Sequence, residues 1–105
     1  MSIGAPYRFD INVEEYNTTV MTGNLTLTLE DADTMVLDPG GSARNVTLPT
    51  DAMGARVTIV NAADGAENIT VLNPGLTTTN GVVGQNEVGV FWCDGDDWHH
   101  ITGVA

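Results

Sequence analysis

The sequence predicts an all-β fold, a compact β-sandwich or jelly-roll-like barrel with an extended N-terminal arm. Three observations predict it. Apolar and polar residues alternate with period two along much of the chain, the spacing of a strand with one buried face. Valine and threonine, which suit the pleated, half-buried surface of a sheet, make up about a quarter of the 105 residues. Turn chemistry interrupts the alternation roughly every eight to twelve residues, the punctuation of a sandwich or barrel.

The elements follow in order. Tyr7, Phe9, Ile11 and Val13 alternate with Arg8, Asp10, Asn12 and Glu14, an extended segment with one apolar face. Residues 1–17 therefore read as an N-terminal arm, either a first strand of the domain or a segment that reaches a partner. A turn-rich stretch over 17–24 separates them from the domain, residues 18–105. Leu25, Leu27 and Leu29 alternate with Thr26 and Thr28, and further strands are predicted over 34–37, 45–48, 56–61, 68–72, 87–93 and 98–102. Asp38-Pro39-Gly40-Gly41, Asp64-Gly65, Asn73-Pro74-Gly75, Asn80-Gly81 and Asp94-Gly95 supply residues that tolerate positive φ or preset a turn. One helical turn is predicted at 50–53, capped by Thr50 or Asp51. The sequence shows no internal repeat.

Composition limits the function. Nine Asp and five Glu face three Arg and no Lys, a formal net charge of -11. Arg8, Arg44 and Arg56 are too few to meet a phosphate backbone, so nucleic acid is excluded as a partner. No apolar run approaches the ~18–20 residues of a membrane span, and no basic stretch with an apolar core follows Met1. A membrane partner is therefore not expected. A single cysteine, Cys93, forms neither an internal disulfide nor a thiolate zinc cluster. The acidic, lysine-free composition resembles that of proteins from salt-loving organisms, where concentrated salt screens self-repulsion. An acidic protein of ordinary origin is the other reading.

Catalytic chemistry finds little support. Asp94, Asp96 and Asp97 form the densest acidic cluster but lack the spacing of an EF-hand loop, and exposed carboxylates in a hairpin turn account for them. His99 and His100 are adjacent, so a regular strand points them to opposite faces, and only copies around a threefold axis would gather them on one metal. Cys93 follows Phe91 and Trp92 in an apolar stretch of a chain without lysine and reads as buried filler, not a catalytic thiolate. Ser2 and Ser42 lie in no nucleophile motif, and no glycine-rich phosphate loop occurs. The chain is expected to be no enzyme and to use no cofactor or metal. Asn-x-Thr triplets at Asn17, Asn24, Asn45 and Asn68 match the glycosylation pattern by chance in a chain rich in both residues.

The segments LTLTLEDADTMVLDPG (25–40), NVTLP (45–49), GARVTIVNAADGAENITVLNPG (54–75), TTNG (78–81) and EVGVFWCDGDDWHHI (87–101) carry a resemblance in their order and spacing. Together they resemble the small β-rich modules of head decoration proteins, head fibres and tail fibres of tailed viruses. In those modules a strand ends in a TLP step and a later strand ends in Asn. A closing hairpin has Asp-Gly at its turn and Trp on the return strand. The resemblance implies a homotrimer on a capsid surface or within a fibre, with no catalytic residues; it leaves residues 1–17 unassigned.

The expected function is a capsid decoration (cement) protein of the virion surface, its partners other copies of itself and the major capsid protein. The alternative is a receptor- or glycan-binding knob of a viral fibre, for which the 17 residues ahead of the module are short. Tyr7, Phe9, Ile11 and Val13 are the expected capsid or partner contacts. Val90, Phe91, Trp92 and Trp98 are the expected subunit interface, because large aromatics dominate interface energetics and closed association covers sheet edges and apolar faces.

Overall fold

The computed structural model describes residues 18–29, 31, 33–50, 53–75 and 78–104. They form nine strands and no helix: β1 (Thr18–Val20), β2 (Leu25–Thr26), β3 (Thr34–Asp38), β4 (Arg44–Thr47), β5 (Arg56–Asn61), β6 (Ile69–Leu72), β7 (Thr79–Val83), β8 (Glu87–Cys93) and β9 (Trp98–Val104). The all-β expectation holds. The predicted arm lies outside the described residues, as does part of the helical turn at 50–53.

Two mixed sheets share one core. The five-stranded sheet runs β1-β3-β5-β8-β9 and the four-stranded sheet β2-β4-β6-β7. From β1 to β6 the chain alternates between sheets, each strand lying parallel to the one two places earlier: Val36 sits beside Val60, and Val46 beside Val71. Then β7 turns back antiparallel to β6, β8 crosses to pair antiparallel with β5, and β9 closes a hairpin on β8. Four parallel pairings separate this winding from a jelly roll, whose neighbours are antiparallel. The backbone thus repeats where the residues do not, because the connections between successive windings differ in length.

Alternation places the core. Val57, Ile59, Phe91, Cys93 and Leu37 point inward from the larger sheet to meet Val46, Ile69, Val71 and Val83 of the smaller one. Phe91 is fully buried. Beside it, a Cβ on Gly89 would come within 2.7 Å of the Phe91 ring and 2.8 Å of Val83 Cγ2, so only glycine lets both side chains lie against the β8 backbone.

Three expectations change. Residues 18–20 are a strand, not part of a turn-rich stretch. All three side chains of β1 are exposed, so no apolar alternation announces it; pairing with β3 and the Met21 N–H donated to the Asp38 carbonyl hold it. Asn80-Gly81 is no turn but the middle of β7. There the His100 ring lies over Gly81, where a Cβ would stand 3.0 Å from it, and the Asn80 amide donates to the Trp98 carbonyl. The leucine alternation also stops early: Leu27 is buried, but the chain turns at Thr28–Asp31 and leaves Leu29 exposed. The Asp38-Pro39-Gly40 step does turn, with Gly40 at φ 80° and no room for a Cβ against the Met21 carbonyl.

Candidate interaction surface

The outer face of the five-stranded sheet is the most distinctive surface. Side chains directly paired across strands share a face. Arg56, Trp92 and His99 make one outward row, Thr58, Val90 and Ile101 the next, and Val60, Val88 and Gly103 the third. Thr34 and Val36 of β3 continue it toward the edge. Trp92 is 37% and Ile101 65% exposed, while the valines are half-buried among their neighbours. No outward position of β5, β8 or β9 carries a carboxylate, and only Asp38, at the end of β3, does so on its flank. A sheet face left to water ordinarily carries polar side chains. In a chain of net charge -11, this face instead sets an apolar centre of Val60, Val88, Val90 and Ile101 between Arg56 and His99 on one side and threonines toward β3.

The predicted interface residues divide between two places. Val90 and Trp92 lie on this outer face. Phe91 and Trp98, 0% and 5% exposed, belong to the core, because alternation turns Phe91 inward and the hairpin sets Trp98 opposite inward-facing Cys93. Of the four, only Val90 and Trp92 face outward from the sheet. Tyr7, Phe9, Ile11 and Val13 lie outside the described residues. A cleft of about 490 Å³ beside Trp92 and Val90 is rimmed by Asp33 and Arg56.

The acidic hairpin is a turn built on one carboxylate. Asp94 Oδ1 accepts the backbone N–H groups of Asp96 and Asp97, both at 2.8 Å, while Oδ2 lies 2.8 Å from His99 Nε2. The Asp97 N–H first, then His99 and the Asp96 N–H, hold the Asp94 carboxyl well below the usual carboxylate range. His99 and His100 do point to opposite faces: His99 packs near Trp92, and His100 sits by Phe91 with Nδ1 3.0 Å from Asn80 Oδ1. Cys93 is buried and accepts the Gly95 N–H on its sulfur.

A different acidic group is one sequence reasoning missed. Asp38, Asp64 and Glu67 bring one oxygen each to within 4.8 Å of one another, the kind of oxygen set a hard cation takes. Parallel register produces it: Leu37 beside Asn61 sets the end of β3 against the loop after β5. Nothing in the spacing of 38, 64 and 67 signals that meeting. A second cleft, about 510 Å³, lies between the β6–β7 connection and the β8–β9 turn, lined by Asn73, Asn80, Asp96, Asp97 and His99 among others.

Compared with known protein families, curated proteins and solved structures, the chain matches none.

Proposed function

We propose that the protein is a structural capsid decoration protein, binding the outside of a viral shell as a homotrimer and stabilising it. The reading is carried by the ordered motifs, two of which meet in the fold, while a third holds the sheets together. Trp98 of the closing hairpin donates its indole N–H to the carbonyl of Pro49 in the TLP step at 3.1 Å. Asn61, the strand-ending Asn, ties β5 to β7 through the Val83 carbonyl. The mechanism is multivalent: three modest contacts per trimer add through effective concentration, and bridging adjacent coat subunits resists their separation. Tyr7, Phe9, Ile11 and Val13 supply the shell contact by strand addition, with main-chain hydrogen bonds for affinity and alternate side chains for specificity. No catalytic step, cofactor or metal enters this reading.

The polar cleft between the β6–β7 connection and the β8–β9 turn favours a second reading, a glycan- or receptor-binding knob, since amide and carboxylate groups recognise hydroxyls. Co-sedimentation separates the two. The decoration reading expects binding to emptied shells of the protein's own virus and none to host cells; binding to cells alone favours the knob.

A further inference from the structure

We infer that the outer face of the five-stranded sheet, centred on Val90 and Trp92, packs against a second copy of this chain. The inference rests on the homotrimer of the proposed function and names the surface that builds it. Its ground is the distribution of charge. Copies carrying -11 each repel wherever carboxylates meet carboxylates. The outward positions of β5, β8 and β9 carry none. The carboxylates nearest them lie at the border: Asp94 held by His99, Asp33 in one cleft with Arg56, and Asp38 at the end of β3, so that penalty is confined to the rim.

The face also offers what a contact needs. Val60, Val88, Val90 and Ile101 give a contiguous apolar centre across three neighbouring strands, roughly 10 Å wide at about 4.8 Å spacing. Trp92, partly exposed, is the kind of aromatic anchor that dominates interface energy. At the border, Asp33 and Arg56 line one cleft with Trp92, and Arg56 makes no ion pair among the described residues. The Arg56 of one copy meets the Asp33 of the next, a match of opposite charge at the rim of a neutral, apolar centre. A strongly acidic or basic partner finds no such complement on this face.

The test is solution mass by light scattering at micromolar concentration in about 0.1 M salt, where the Debye length of about 10 Å leaves a rim ion pair at contact largely unscreened. The wild-type chain should scatter as an oligomer. Ile101→Glu changes an exposed side chain that supports no core packing, and it should give a folded monomer with an unchanged circular dichroism spectrum. Arg56→Asp should weaken association by about tenfold or more, and Arg56→Asp combined with Asp33→Arg should restore it, a result general destabilisation cannot produce. An oligomer that persists in Ile101→Glu and Arg56→Asp overturns this surface while leaving the homotrimer intact. A wild-type monomer overturns both. Monomeric variants of an oligomer that binds no shell leave the surface standing and remove the decoration reading.

Discussion

The indole Nε1 of Trp98 donates to the carbonyl of Pro49 at 3.1 Å, joining the return strand of the last hairpin to the step after β4. Both groups are buried. Trp98→Phe keeps most of the apolar surface and leaves the Pro49 carbonyl without its donor. An orphaned buried acceptor costs about 1–3 kcal/mol, and the melting temperature should fall by about 4–8 °C for each of these. Thermal unfolding followed by circular dichroism reads the effect. An unchanged melting temperature would show that water replaces the indole without loss.

Asn61 is 1% exposed and spends every polar group it has toward its surroundings. Its amide donates to the Glu67 and Val83 carbonyls and its oxygen accepts the Ala63 N–H, each at 2.9 Å. Asn61→Leu fills the space and orphans all three partners, so it should destabilise by several kcal/mol. Denaturant titration should show the midpoint falling at constant slope. Wild-type stability in this variant would mean that the network adds nothing beyond its volume.

The Asp94 carboxyl is held ionised by two backbone N–H groups and His99, so its folded pKa lies below its ordinary value of 3.8. A depressed carboxyl contributes stability that is present above the unfolded pKa and is lost as pH falls through the folded one. The stability difference between wild type and Asp94→Ala should therefore be full above about pH 4 and should vanish in stronger acid. Carbon-detected titration by nuclear magnetic resonance should place the Asp94 midpoint below its ordinary value of 3.8. A midpoint at the ordinary value would contradict the turn described for this hairpin.

Fourteen acidic residues against three arginines make self-repulsion a general cost. Salt screens it, with a Debye length of about 10 Å at 0.1 M and 3 Å at 1 M. The melting temperature should rise steadily from low to molar sodium chloride. A flat profile would remove charge repulsion as a term in this protein's stability and, with it, the halophilic reading.

Much of the strand plan was legible because alternation and turn chemistry act locally. Arg56–Asn61 and Glu87–Cys93 match their predicted ranges to the residue, each alternating between core and surface. What sequence alone did not yield depends on distant pairing. β1 has no buried side chain to mark it, and β7 carries an Asn-Gly step that a hairpin would use but that here accommodates the His100 ring. Parallel pairing between alternate strands leaves no local trace, and so neither the winding nor the Asp38–Asp64–Glu67 group was visible. Val90 and Trp92 alternate with Phe91, so grouping the three in one interface ignored the strand's two faces. Which of the two faces was the core needed the second sheet.

We have proposed that this protein binds a viral shell and strengthens it. The most direct measurement is the temperature at which emptied shells of its own virus come apart, followed by light scattering with and without saturating protein. Decoration predicts a higher disruption temperature, rising with occupancy and levelling when the sites are filled. An unchanged disruption temperature at full occupancy, or no occupancy at all, would contradict it.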